Sequence, residues 1–397
     1  MENRIDIHNY KGRLERSIAR ITKSDDISKE NKDTILKFKD YCLSEGIGAA
    51  KIDRYLGDAK KYTLMLKKNL KNAKKEDVRR ILADLGQTNL SEETKKCFKV
   101  MLKKLYKFIR GVEEKGKYPE EVNWFTLTIH ENHRKLPEEL LTDEEIFKIV
   151  QNCKNLRDKA FISSLAESGC RISEIGTMQI KHVSFEEYGA RLTVNGKTGM
   201  RKILIINSAP YLRDWINQHP KNEDPNSPLW LGTNNEVLCY TRLADILKTA
   251  ARKAGIKKRV HPHLLRHSRA TSLASLMSDA SMKHYFGWTQ GSKMASVYIH
   301  MSGKETDEVI LRANGIEIKK ESPKPILQSV KCVRCATINE VTNRFCQKCG
   351  LILDQKEASQ AIQEDSEKNK FEDMMKKVLQ NKEILDLLVK KISEIEN

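Results

Sequence analysis

Tyr298 closes the run Phe286-Gly287-Trp288-Thr289-Gln290-Gly291-Ser292-Lys293-Met294-Ala295-Ser296-Val297-Tyr298. Upstream stand Gly169-Cys170-Arg171-Ile172-Ser173-Glu174, then Gly196-Lys197, then His263-Leu264-Leu265-Arg266-His267. A phenol, with an ordinary pKa of about 10, attacks only beside a proton acceptor or strong positive charge. His263 is the expected acceptor, and His267 is expected to buttress. Arg171 and Arg266 offer the charge: planar guanidinium forks donate paired hydrogen bonds, which suits the negative charge a phosphodiester gains in a pentavalent transition state. The set describes a site that breaks a phosphodiester with a tyrosine nucleophile.

Taken singly, each fragment has an ordinary reading. Arg171 and Glu174 are an i,i+3 helical ion pair, His263 or His267 could be a core histidine, and Tyr298 could be an amphipathic aromatic. The functional reading rests on their order and separation, with a Gly-Lys turn between the two arginines. Tyr285 is the competing phenol, and its place before the Gly-Trp turn reads as core.

The elements that must position these residues follow from periodicity. Residues 1–25 read as a polar arm. Residues 26–112 carry four apolar patterns at three- and four-residue steps, around Phe38, Leu56, Ile81 and Leu102, which predict a helical bundle. Lysines 67, 68, 71, 74, 75, 103 and 104 are expected on its surface, facing phosphate. Residues 113–136 lack periodicity and read as a linker. A second domain, 137–318, opens with Thr142 as N-cap and Glu145 in the capping-box position. Within it, Arg191–Val194 and Lys202–Ile206 flank Asn195-Gly196, a hairpin signal that puts Lys197 at or beside an exposed turn. The predicted class is mainly α with a small β-hairpin or sheet.

The 397 residues suit two or three domains. A formal charge of +18 calls for a polyanionic partner, and double-stranded DNA fits better than a membrane surface. No apolar run reaches the roughly 18 residues of a spanning helix, and no start resembles a signal peptide, so a cytoplasmic, DNA-associated protein is expected. Cys42, Cys97, Cys153, Cys170 and Cys239 stand singly and are expected to be buried, reduced thiols.

Residues from 25 to about 315 resemble a tyrosine recombinase of the phage-type integrase family, archaeal-type in the Ile299-His300-Met301-Ser302-Gly303 that follows Tyr298. The resemblance implies a helical core-binding, SAM-like domain over 26–112 and a catalytic domain over 137–318. It implies Arg171, Lys197, His263, Arg266, Trp288 and Tyr298 as catalytic residues, with Glu174 holding Arg171. Lys197 would be the general acid for the departing 5′-oxygen. Capture as a 3′-phosphotyrosine conserves the bond for rejoining, so neither a catalytic metal nor a nucleotide is required. Trp288 stands where the family more often has histidine, and an indole donates a hydrogen bond but cannot transfer a proton. Implied functions are integration or excision of a mobile element, or chromosome-dimer resolution, by four protomers. A type IB topoisomerase and a non-catalytic DNA-binding regulator are the alternatives.

Cys332, Cys335, Cys346 and Cys349 form two C-x2-C knuckles within residues 330–353, similar to a zinc ribbon. Four thiolates suit a closed, structural, tetrahedral Zn²⁺ site, with iron the main alternative. In the tail, 354–397, a heptad pattern through Phe371, Val378, Leu385 and Ile392 fits either a short coiled coil or an amphipathic helix docked on the protein.

Overall fold

The computed structural model describes residues 5–128, 137–196, 198–302, 310–311, 313–314, 329–335, 337–340, 343–353, 368, 370, 374 and 375. The chain divides into two compact units, residues 1–136 with 239–241 and residues 137–238 with 242–397. Among the described residues no helix is long and apolar enough to cross a membrane.

The first unit is a bundle of α1 (Tyr10–Thr22), α2 (Lys29–Ser44), α3 (Ala49–Leu66), α4 (Lys75–Gly86) and α5 (Glu92–Ile109). The last four are the helices expected from the apolar steps, and their starts are local. Ser28 and Ser91 accept hydrogen bonds from the N–H groups of Asn31 and Thr94, as capping side chains do. Phe38, Leu56, Ile81 and Leu102 are buried in one core.

Three expectations change here. The N-terminal arm is part of the bundle: Ile21 of α1 is buried in that core, and Ser17 bonds Asp53 of α3 at 2.5 Å. The supposed linker is also part of it as far as residue 128, because Val122 and Phe125 enter the same core. That packing covers Lys103, whose ammonium lies over Tyr118 and Phe125 at 4.3 and 5.0 Å. Lys103 is therefore buried, and Lys104 pairs with Glu45. Neither is a free surface cation.

The second unit begins with α6 (Asp143–Gln151), capped as predicted: Glu145 N–H donates to Thr142 Oγ1 at 3.2 Å, and Thr142 N–H donates to Glu145 Oε2 at 2.9 Å. The central helix α7 (Leu156–Ser168) is buried along its second half. After α8 (Ile172–Gly176) comes an antiparallel sheet of β1 (Val183–Glu186), β2 (Gly189–Gly196) and β3 (Gly199–Ile205), in that order. Then follow α9 (Ala209–Asn217), α10 (Tyr240–Lys253), α11 (Pro262–Ala274), α12 (Asp279–Phe286) and α13 (Met294–Ser302).

The hairpin exists, but Asn195 and Gly196 belong to its ladder, paired with Met200 and Gly199, rather than to its turn. The third strand, β1, was not expected.

The cysteine segment adds a two-stranded ladder of β4 (Val330–Lys331) and β5 (Ile338–Asn339). It docks on its own unit: Gln347 Nε2 donates to Asp214 of α9 at 2.8 Å, and Ser329 N–H donates to Asn207 Oδ1 at 3.3 Å. All nine cysteines are free of disulfides. Cys42 and Cys170 are buried as expected, but Cys239 is exposed. The tail heptads lie outside the described residues.

Candidate active site

Helix ends bring the site together. Arg171 is the N-cap of α8, so its backbone N–H meets Glu174 Oε2 at 2.9 Å while its own Nη1 meets Oε1, also at 2.9 Å. In the i,i+3 pair read in the sequence, Glu174 thus accepts from both the backbone and the side chain of Arg171. The arrangement leaves the Arg171 side chain partly exposed beside a Glu174 side chain that is 2% exposed.

Glu174 has a second partner that the sequence reading missed. Arg201, on β3, donates Nη1 to Oε1 at 3.1 Å and Nη2 to Oε2 at 2.8 Å, a fork-to-carboxylate pair. Burial would raise the Glu174 carboxyl, but the Arg201 hydrogen bonds and charge, with help from Arg171, hold it down at about 2. Strand alternation carried the signal for Arg201: it shares the inward face of β3 with Ile203 and Ile205, while Met200, Lys202 and Leu204 face out.

Arg266 lies on α11, buried. It donates Nη1 to the Gly169 carbonyl at 2.9 Å and Nη2 to the Phe286 carbonyl at 2.6 Å. Desolvation by burial, then the charge of Arg171, lowers its pKa to about 10. Arg201 Nε takes the neighbouring carbonyl, Tyr285 O, at 2.9 Å. The links close a circuit. Arg171 joins Glu174, Glu174 joins Arg201, Arg201 and Arg266 hold consecutive carbonyls at the end of α12, and Arg266 returns to Gly169, two residues before Arg171.

The phenol sits against this circuit. Tyr298 is buried on α13 with its hydroxyl 2.5 Å from His267 Nδ1. Its ring stacks on Trp288, with centroids 5.5 Å apart and planes 3° from parallel. Trp288 stacks in turn on Phe286, and the Arg266 guanidinium lies 5.1 Å from the Phe286 centroid and 5.6 Å from that of Trp288. Burial raises the Tyr298 pKa, and the charge of Arg266 works against that rise.

His267, expected only to buttress, is thus the ring in contact with the phenol. His263, one turn earlier on α11, is exposed. Tyr285 points elsewhere, its hydroxyl bonding Glu167 O at 3.3 Å, and burial pushes its pKa up to about 12. Lys197 lies outside the described residues.

The sulfurs of Cys332, Cys335, Cys346 and Cys349 lie within 4.8 Å of one another. The Cys332–Cys349 and Cys335–Cys346 pairs are 3.5 Å apart. A disulfide would need about 2.0 Å, whereas a tetrahedron with bonds of about 2.3 Å has edges near 3.8 Å. The cluster fits one metal ion held by four thiolates.

Residues 139–305 match the model of the phage integrase family. The chain is similar to tyrosine recombinase XerA of Pyrococcus furiosus, 30% identical over 191 residues, which are 46% of this chain and 65% of the relative. A tyrosine recombinase of Thermosipho africanus is 26% identical over 263 residues, 64% of this chain and 90% of the relative. The fold is similar to XerH in a post-cleavage complex with palindromic difH substrate, with a TM-score of 0.56 and 18% identity, covering 79% of this chain and 98% of that one. It is also similar to a lambda integrase dimer bound to a COC′ core site, with a TM-score of 0.55 and 18% identity, covering 77% and 83%.

Proposed function

We propose that this chain is a site-specific DNA recombinase that cleaves and rejoins strands through a phosphotyrosine at Tyr298. The observation that carries the proposal is the Tyr298 hydroxyl held by His267, with its ring stacked on Trp288 beside the buried guanidinium of Arg266. The chain spans 65% of the length of the XerA relative.

Tyr298 oxygen attacks the scissile phosphorus, and its proton passes to His267 Nδ1. The bond to the 5′-oxygen breaks, leaving the 3′-phosphate on tyrosine. Arg171 and Arg266 meet the negative charge of the pentavalent transition state. His263, exposed on the same helix, donates to the phosphate, and Lys197 protonates the leaving oxygen. Trp288, which has no proton to shuttle, keeps the phenol ring at a fixed tilt. In the second half of the reaction a 5′-hydroxyl from another strand attacks the phosphotyrosine and restores the phosphodiester, so the sequence of steps is energy-neutral.

The first unit and the catalytic unit bind duplex DNA, and four protomers pair two sites; the lambda integrase tetramer bound to a Holliday junction is a precedent among proteins of this fold. Cys332, Cys335, Cys346 and Cys349 hold structural Zn²⁺, which supplies folding energy to a segment too short to bury a core. The direct experiment is to trap the protein on a suicide DNA substrate and map the DNA-linked residue by mass spectrometry. A covalent adduct at Tyr298 is expected, and the absence of an adduct from DNA-bound protein would overturn the reading.

A further inference from the structure

Arg201 has none of the roles above, yet its guanidinium is tied on every side. Besides the two bonds to Glu174 and the one to the Tyr285 carbonyl, its Nη2 lies 3.7 Å from Cys170 Sγ. Its side chain is 5% exposed, whereas that of Arg171 is 27% exposed.

Two glycines make room for it. A Cβ on Gly196 would stand 2.5 Å from Glu174 Oε1 and 3.1 Å from Arg201 Nη1, and a Cβ on Gly287 would stand 2.8 Å from that same nitrogen. Gly287 is also in the left-handed region, with φ of 60°, where it ends α12. The glycines that flank this buried ion pair come from the strand leading to Lys197 and from the turn leading to Trp288.

A buried guanidinium is costly unless it is fully paired, and replacing such a pair with apolar groups would commonly leave the fold no less stable. The electrostatics of Glu174 give it a purpose. Glu174 alone beside Arg171 would neutralise that arginine and draw it inward, and a neutralised arginine is a poor partner for phosphate. With Arg201 supplying both forks to the carboxylate, one negative charge is shared by two positive ones. Arg171 keeps a net positive charge at the surface of the site.

We propose that Arg201 is a positioning residue that neutralises Glu174, so that Arg171 stays available to the scissile phosphate, and that fixes the ends of β2 and α12 around it. This rests on the recombinase reading. It predicts a particular dependence on charge, which a merely structural arginine would not show.

The test uses the full-length protein and single-turnover adduct formation at saturating suicide DNA. Arg201→Gln should slow the reaction by about 10- to 100-fold, the scale that partners orienting a ligand carry in metal sites, while DNA affinity stays within about three-fold. The double variant Arg201→Gln with Glu174→Gln should regain at least about five-fold over the single variant, because removing the unpaired carboxylate frees Arg171. On a methylphosphonate linkage, which is neutral before attack, Arg201→Gln should be within about three-fold of wild type.

A double variant as slow as the single one, an equal deficit on both linkages, or a wild-type rate in Arg201→Gln would each overturn the proposal. Thermal melts accompany each variant. If Arg201→Gln fails to fold but the double variant folds, the double variant must keep at least about a tenth of the wild-type rate, and failure of both to fold would make the pair purely structural. Failure of the wild type itself to form an adduct would refute the recombinase reading and leave the Arg201 geometry untouched.

Discussion

Trp288 and Tyr298 lie face to face, 5.5 Å apart and 3° from parallel, although ten positions of chain separate them. The stack makes the indole a wall for the Tyr298 phenol, the proposed nucleophile, and the wall is held by the αL turn at Gly287. Trp288→Ala should therefore leave DNA binding intact and slow adduct formation by about 10-fold or more, since misplacing a nucleophile by an ångström is costly. Trp288→Phe should retain most of the rate. Equal rates for all three proteins in single-turnover cleavage would show that the stack is incidental.

The nucleophile itself is tested by Tyr298→Phe, which keeps the stack and removes the oxygen. No covalent adduct should form, with DNA affinity unchanged by gel shift. Tyr285→Phe, which loses only a bond to the Glu167 carbonyl, should still form one.

For His267 the discriminating comparison is with His263. If the ring in contact with the phenol takes its proton, His267→Ala should reduce the cleavage rate by about 100-fold or more, within the usual range for a general base. His263→Ala should be milder and partly compensated at higher DNA concentration. The reverse ranking would return the base role to His263.

Acid stability follows from Glu174. Its carboxyl lies near 2 in the folded protein, below its ordinary value, so the stability it contributes is complete above the unfolded pKa of about 4.3 and is lost as pH falls toward 2. Glu174→Gln should lower the melting temperature at pH 7 and lose less than wild type between about pH 5 and pH 3. Parallel melting curves across that window would contradict the ion-pair account.

The cysteine cluster should carry one Zn²⁺ per chain by elemental analysis, lost in Cys332→Ser with Cys335→Ser. Because the ribbon meets α9 through Gln347 and Asp214, the double serine variant should also show faster hydrogen exchange at the exposed end of α9. Adduct formation at Tyr298 should persist, with the defect appearing in DNA affinity or in pairing of two sites.

Much of this was legible wherever the signal is local. The partners of the Thr142–Glu145 box and of the Arg171–Glu174 pair are three positions apart, and both exist as read. The hairpin is legible too, but Asn195-Gly196 lies in its ladder, where Gly196 allows the close approach of Glu174. Arg201 was missed because its partners, Glu174 and Tyr285, are 27 and 84 residues away. Only its inward phase on β3 hinted that an arginine stood where an aliphatic residue belongs. The packing of residues 10–22 and 118–125 on the first core was equally hidden, since a few apolar residues in a polar stretch do not reveal which core they join.

The closed circuit from Arg171 through Glu174, Arg201 and Arg266 back to Gly169 has a consequence for how this site can change by mutation. Glu174 is shared by two arginines, and Arg201 and Arg266 each hold a carbonyl at the end of α12, so libraries randomised at one of these positions should return the parental residue almost exclusively. Acceptable alternatives exist only in combination, such as a smaller acid paired with a longer base, and they are reached by randomising two or three positions together. Selection for new DNA targets would leave these positions unchanged and draw its variants from residues outside the circuit.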